Sequence, residues 1–269
     1  MKIQPLIYGY LEEFIDGLRS KGRYAFSLEE VKKQFSQSDK AVNQALFRLK
    51  NKKRIAQIRK GFYAILSPEY SQQGMVPPSL FIDDLMLALG KQYYVGLISA
   101  AALHGAAHQQ PMEYFLITEK PALRNIRNKK LKVNFFIKKF WRKEDLIKKK
   151  TDAGYINISS PELTALDLLF YLEKISINQT YGILRELVSE MEPEKLAETG
   201  RHFPQTAAIQ RLGYLLENEL DEKKLADALH QILAEKNYFP IPLSNKKSKA
   251  GEINSRWKVI KNINLEKDL

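Results

Sequence analysis

The sequence predicts an α+β chain of two domains: a small N-terminal one, then a larger mixed α/β one with a C-terminal helical region. Three observations predict it. Apolar residues recur at helical spacing through the first 52 residues and then give way to a short hairpin pattern. A proline-bearing stretch with no hydrophobic period, residues 67–78, interrupts the chain. Beyond it β-favouring runs and helical patterns alternate, with helices predominating after Pro161.

A length of 269 residues suits two domains, and a hydrophobic content of 44% is enough to bury a core in each. Cysteine is absent, which excludes disulfides and thiolate metal sites. No apolar run reaches the roughly 20 residues that span a bilayer. The opening MKIQPLIYGYLEEFIDG carries acids where a signal peptide keeps an unbroken apolar stretch. The expectation is a cytoplasmic protein with no membrane partner.

In the first domain, residues 1–66, Leu6, Ile7, Tyr10, Leu11, Phe14 and Leu18 mark one face of a helix that should stop at Ser20-Lys21-Gly22. Tyr24-Ala25-Phe26 is extended. Ser27-Leu28-Glu29-Glu30 is a capping box, and it opens a second helix with Leu28, Val31 and Phe35 inward. Ser36-Gln37-Ser38 makes a tight turn, with Ser38 capping a third helix that runs to about Lys52. Ile55–Ile58, a turn at Arg59-Lys60-Gly61 and Phe62–Leu66 read as a β-hairpin with a basic tip. This order of elements predicts a winged helix-turn-helix.

The third helix turns Val42, Ala45, Leu46 and Leu49 inward and Lys40, Asn43, Gln44, Phe47 and Arg48 outward. Asn and Gln can pair bidentately with adenine and Arg with guanine, so the outward face has the chemistry to read a major groove. Arg59 and Lys60 at the hairpin tip are placed to meet phosphate, and Ser38 and Lys52 at the two ends of the third helix are counted with them as DNA-binding. A solvated helix end is the plainer reading of Lys50–Arg54, because cations there also favour the helix dipole.

Charge is unevenly distributed. The chain carries a net +12, yet residues 1–66 hold 14 basic and 6 acidic side chains and residues 120–150 hold 13 and 2, while residues 151–244 are net negative. Two basic blocks point to a polyanionic partner. In the second block, Arg124, Arg127, Lys129, Lys130, Lys132, Lys138, Lys139, Arg142 and Lys143 surround a strand and form a second basic surface. They either meet a polyanion or guard a sheet edge against unwanted pairing.

In the second domain, residues 79–269, Phe81, Leu85 and Leu89 predict a helix, as do Val95, Ile98, Ala102 and Leu103, the latter ending at Gly105. Tyr114–Thr118, Leu131–Ile137 and Gly154–Ile158 are strands. Ser160-Pro161-Glu162 opens a long apolar helix with serine as cap, proline at the first helical position and an acid in the first turn. Further helices are expected around residues 179–191, 205–217 and 222–236. Ser255–Ile260 turns strand-like and should rejoin the sheet.

No catalytic constellation is visible. His104 and His108 stand four apart without the glutamate of a zinc protease. There is no P-loop and no nucleotidyltransferase Gly-Ser with an Asp-x-Asp pair. Glu119-Lys120 lacks the spacer of a nuclease motif, and Glu222-x-Lys224 falls in a helix. The expectation is a non-enzyme with no catalytic residue, cofactor or metal.

Tyr93-Tyr-Val-Gly-Leu-Ile-Ser-Ala-Ala-Ala-Leu-His-Gly105, Gln109-Gln-Pro111 and Tyr114-Phe-Leu-Ile-Thr-Glu-Lys120 together resemble the AbiEi-type antitoxins. Ser160-Pro-Glu-Leu-Thr-Ala-Leu-Asp167 and Trp257-Lys-Val-Ile260 are similar to the same family. The resemblance implies an antitoxin of a type IV toxin–antitoxin module, associated with abortive infection and phage defence. It implies a repressor that binds double-stranded operator DNA through the winged helix, as a monomer or weak dimer, and counters a nucleotidyltransferase-fold toxin through the second domain. It implies no stable complex with that toxin. The motif residues are mostly apolar or glycine, so they speak for shared packing and name no site. Two alternatives stand beside this reading: a stand-alone winged-helix transcription factor with a ligand-binding or dimerisation domain, and a DNA-guided nuclease.

Overall fold

The structure, a computed structural model, describes residues 7–106 and 112–266. His108 and Gln109–Pro111 of the motifs above lie outside the described residues, as does Leu6. The chain divides into two compact units. The first comprises Met1–Tyr94, Ile117–Lys138 and Lys148–Asn157; the second comprises Val95–Leu116, Lys139–Ile147 and Ile158–Leu269.

The first unit opens with α1 (Ile7–Ser20), β1 (Ala25–Ser27), α2 (Leu28–Gln34), α3 (Asp39–Asn51), β2 (Ile55–Arg59) and β3 (Phe62–Ile65). Helix α1 ends where glycine permits a left-handed residue: Gly22 has φ +75°, and the Arg23 N–H returns to the Leu18 carbonyl at 3.0 Å. The capping box is present, with Ser27 N–H donating to Glu30 Oε2 at 2.7 Å and Glu30 N–H to Ser27 Oγ at 3.1 Å. Ser38 Oγ accepts from the Ala41 N–H at 3.3 Å and starts α3. The strands form an antiparallel sheet in the order β1-β3-β2. Helices and sheet close one core in which Leu11, Ile15, Phe26, Val31, Val42, Leu49, Ile55 and Ile65 are fully or almost fully buried.

The stretch read as a linker is folded. It carries the short helix α4 (Pro68–Ser71) and buries Ser67, Met75 and Val76, since the methionine and valine interrupt an otherwise polar run. Helix α5 (Ile82–Ala88) follows, with Ile82, Leu85 and Met86 buried, and packs against β1.

A six-stranded sheet has the order β6-β7-β5-β4-β9-β8. Its members are β4 (Tyr93–Val95), β5 (Tyr114–Thr118), β6 (Ile126–Arg127), β7 (Lys132–Ile137), β8 (Leu146–Thr151) and β9 (Gly154–Ser159). Strands β4 and β9 pair in parallel at Val95 and Ile158, and β6 pairs antiparallel with β7. The sequence expectation placed Val95 in a helix. It ends β4 instead, and α6 (Leu97–Leu103) starts only after Gly96. Tyr-Tyr-Val is a β-favouring run, and its continuity with an apolar helix masks the boundary.

In the second unit Ser160 caps α7 (Pro161–Phe170), its Oγ accepting from Leu163 N–H at 3.2 Å. Glu162 is more than a dipole partner. It is 1% exposed and accepts the Glu192 N–H at 3.0 Å. Helices α8 (Ile177–Leu187), α9 (Pro193–His202), α10 (Thr206–Asn218) and α11 (Lys223–Ala234) complete the helical region. Here α10 packs on α7 and α11, and α9 packs on α7 and α11.

The C-terminal segment does not rejoin the six-stranded sheet. Strands β10 (Ile241–Pro242), β11 (Glu252–Asn254) and β12 (Val259–Lys261) form a separate sheet in the order β10-β12-β11. Trp257, fully buried, anchors this sheet in place, its ring in the space left by Gly213 of α10.

Candidate nucleic-acid interface

Helix α3 is fixed by Val42, Ala45, Leu46 and Leu49, all buried in the first unit's core. The helical period then turns Lys40, Asn43, Gln44, Phe47 and Arg48 outward, and all five are exposed. Phe47 is 59% exposed, an aromatic ring standing on an otherwise polar face. Among the described residues, no side-chain hydrogen bond or ion pair engages Lys40, Asn43, Gln44 or Arg48.

Nearby charges behave differently. Lys32 pairs with Asp39 at 2.8 Å, Arg54 with Asp16 at 2.7 Å, and Lys50 Nζ donates to Gln57 Oε1 at 3.5 Å. Lys52 is exposed at the end of α3, and Ser38 is exposed with its hydroxyl committed to the helix cap.

At the hairpin, Gly61 takes φ +76°, which lets a two-residue turn join β2 to β3, and Lys60 is exposed at its tip. Arg59 is not at an exposed tip. The register shifts between Gln57 and Arg59, Arg59 is half-buried, and its Nη1 is shut from solvent without a hydrogen-bond partner among the described residues. Arg59 lines a cleft of about 680 Å³ within the first unit, together with residues of α2, β3 and α5. Sequence reasoning missed this cleft because its wall is completed by α5, whose Asp84 and Leu85 are remote in sequence from the hairpin.

A charge network borders the cleft. Arg23 pairs with Glu30 at 2.8 Å and with Asp84 at 3.5 Å. Burial opposes ionisation of Glu30, but Arg23 and the Ser27 N–H outweigh it and hold the carboxyl below its usual range. At Asp84 burial outweighs the pull of Arg23 and pushes the carboxyl up.

The residues of the second basic block fall in both units. In the first unit Arg124, Lys129, Lys130 and Lys132 are exposed. Arg127 is also exposed, with Nη2 donating to Asn134 Oδ1 at 3.4 Å. Lys138 is not on a surface. It is 3% exposed, because it extends the β7 ladder, its N–H donating to the Thr118 carbonyl at 3.2 Å. In the second unit Lys139 and Lys143 are exposed. Arg142 is half-buried and committed to Glu198 at 2.5 Å and Glu144 at 3.4 Å, and its hydrogen bond to Glu198 raises its pKa. Strand β8 adds Lys148, Lys149 and Lys150, all exposed. His104 lies with Nε2 2.7 Å from the Ser159 carbonyl oxygen, a bond that ties α6 to β9. No helix among the described residues is long and apolar enough to cross a membrane.

Residues 94–218, which run from β4 to the end of α10, match the family model described as the AbiEi antitoxin C-terminal domain. No curated protein sequence matches the chain. Among solved structures, the crystal structure of the RV2827C protein from Mycobacterium tuberculosis is similar to it with a TM-score of 0.66. That similarity covers 94% of this chain and 91% of that one at 17% identity, a likeness of fold alone. Residues 94–218 of the chain are thus similar to the antitoxin C-terminal domain of the AbiEi type.

Proposed function

We propose that the chain is the antitoxin and autorepressor of its own module, with the N-terminal elements acting as a winged helix-turn-helix on operator DNA. The observation that carries this reading is the outward face of α3, where Lys40, Asn43, Gln44 and Arg48 are exposed and unengaged on a helix locked by a closed core. Side chains able to read bases are of use only where the protein has not already paired them. Lys60 at the hairpin tip and Lys52 at the end of α3 position the module on phosphate. The antitoxin domain counters the toxin, which the sequence resemblance implies is a nucleotidyltransferase-fold protein, and does so without a stable complex. In the first unit, the exposed Arg124, Arg127, Lys129, Lys130 and Lys132 offer a further polyanion surface.

Fluorescence anisotropy on a duplex from upstream of the gene tests the first part. Arg48→Ala should cost about 1–3 kcal/mol on the specific site and little on random DNA. Lys60→Ala should weaken both alike and lower the salt slope by roughly one. Equal losses on both duplexes from Arg48→Ala would remove the base-reading role.

The two activities are proposed to separate at residues 67–78. Every residue of the α1–β3 core lies between Leu11 and Ile65, so a fragment ending at Ser67 should unfold cooperatively and bind the operator. It should not rescue growth against the toxin. A non-cooperative melt, or rescue by this fragment, would defeat the division.

A further inference from the structure

The cleft beside the hairpin combines an apolar lining with a charged one, of which the proposed DNA surface uses Lys60 alone. Its floor is apolar, built from Leu28, Phe62, Leu85 and Leu89, and Leu87 stands at its edge 78% exposed. Its charged lining is unbalanced in a specific way. Glu30 and Asp84 are both taken by Arg23, which leaves Glu29 as the remaining acid against Lys33, Arg59 and Lys60. Lys33, Arg59 and Lys60 all lack a carboxylate partner among the described residues, and Arg59 differs from the two exposed lysines in being half-buried, with its Nη1 closed to solvent and unpartnered among the described residues. A charged donor in that position gains from an acceptor that enters the cleft.

We propose that this cleft binds an amphipathic carboxylate, with the acid on Arg59, supported by Lys60 and Lys33, and an apolar body on Leu28, Phe62, Leu85 and Leu89. The planar guanidinium fork matches a carboxylate in two parallel hydrogen bonds. The volume, about 680 Å³, falls within the range of small-molecule sites. An uncharged apolar molecule would leave Arg59 unpaired, and a small inorganic anion would leave the half-buried Leu28 and Leu89 and the exposed Leu87 in water. A carboxylate on an aliphatic chain and one on an aromatic ring both satisfy the chemistry.

Calorimetric titration of the full chain with octanoate and 2-naphthoate, and with octanol and 2-naphthol as neutral counterparts, tests the proposal and separates the two sources. At least one acid should bind below about 1 mM, roughly tenfold more tightly than its neutral counterpart, as a charge-assisted contact requires. Arg59→Gln should weaken that acid by about tenfold and Arg59→Lys by less, because lysine keeps the charge without the fork. Lys60→Gln, at an exposed position that folding does not need, should weaken it by about threefold. Methyl resonances of Leu28, Leu85 and Leu89 should move on addition of the acid, a readout independent of any variant. Absence of binding by both acids, equal binding of acid and neutral molecule, unchanged affinity in Arg59→Gln, or shifts confined to other methyls would each overturn it.

Discussion

Helix α3 in the first unit and the surroundings of Trp257 in the second dispose of their polar side chains in opposite ways. On α3, Lys40, Asn43, Gln44 and Arg48 point outward with no side-chain partner among the described residues. Around Trp257, polar groups are bound to one another. Glu217 accepts from Trp257 Nε1 at 2.5 Å and also pairs with Arg256, which reaches Asp227 at 2.5 Å. Gln210 Nε2 donates to the carbonyls of Phe239 and Trp257 at 3.0 and 2.9 Å. Arg211 donates to the Pro242 carbonyl at 3.0 Å and to Asn245 at 2.7 Å, and burial pushes its guanidinium down to about 10. The small sheet β10-β12-β11 has strands of two or three residues, too few to stand alone. Its polar neighbours secure it to α10 and α11. The α3 module has a complete core without its polar face, so that face is available to a partner.

The comparison breaks first at Trp257. Trp257→Ala removes a fully buried indole and leaves Glu217 without one of its donors. The cost should be about 3–5 kcal/mol of stability, read from urea unfolding followed by far-UV circular dichroism. The space cannot be refilled from α10 by a larger residue while Trp257 is present, because a Cβ at Gly213 would stand 1.9 Å from Trp257 Cζ3. A loss of under about 1 kcal/mol, the scale of an ordinary surface change, would mean the sheet is held by other contacts.

Legibility in the sequence follows the same division. The N-terminal module was readable because each of its signals is local: the glycine stop at Gly22, the Ser27–Glu30 box, the Ser38 cap and the period of α3 each act within four residues. The outward face of α3 followed from that period alone. What escaped was non-local. Strand β8, LIKKKT, has three lysines on an edge strand and no apolar alternation to announce it. Helix α9, PEKLAETGRH, buries little more than Leu196, Thr199 and Gly200, so its pattern is mostly polar. The burial of Lys138 and the inward position of Arg59 depend on neighbours in β5 and α5 that no window around either residue contains.

A smaller effect tests whether the local signals stabilise the module as well as mark it. Ser27→Ala removes the acceptor for Glu30 N–H and one half of the capping box. The expected cost is about 1 kcal/mol, measured as a shift in the urea midpoint with an unchanged slope. Ser27→Thr should recover most of it. A loss of that size in the thermal stability of the whole chain but not of the fragment ending at Ser67 would place the contribution outside the module.

The smallest effect concerns the charge on Glu30. Its carboxyl is held below the ordinary range, so ionisation is favoured in the folded state. Stability from this group is therefore complete above the unfolded value of about 4.3 and is lost as pH falls through the folded one. Asp84 has the opposite sign. Its carboxyl is raised, so its term favours the folded state at low pH and fades as pH rises above the unfolded value. The two share Arg23, and the Glu30 pair is about a third exposed on each side, so the net effect is limited. A pair this open contributes about 0.2–1 kcal/mol. Glu30→Gln keeps the capping box, since glutamine also serves at that position, and removes only the charge. It should lower stability slightly at pH 7 and flatten the decline between about pH 5 and pH 3. Decline curves that run parallel for wild type and Glu30→Gln across that window would show that Arg23 is satisfied by Asp84 alone.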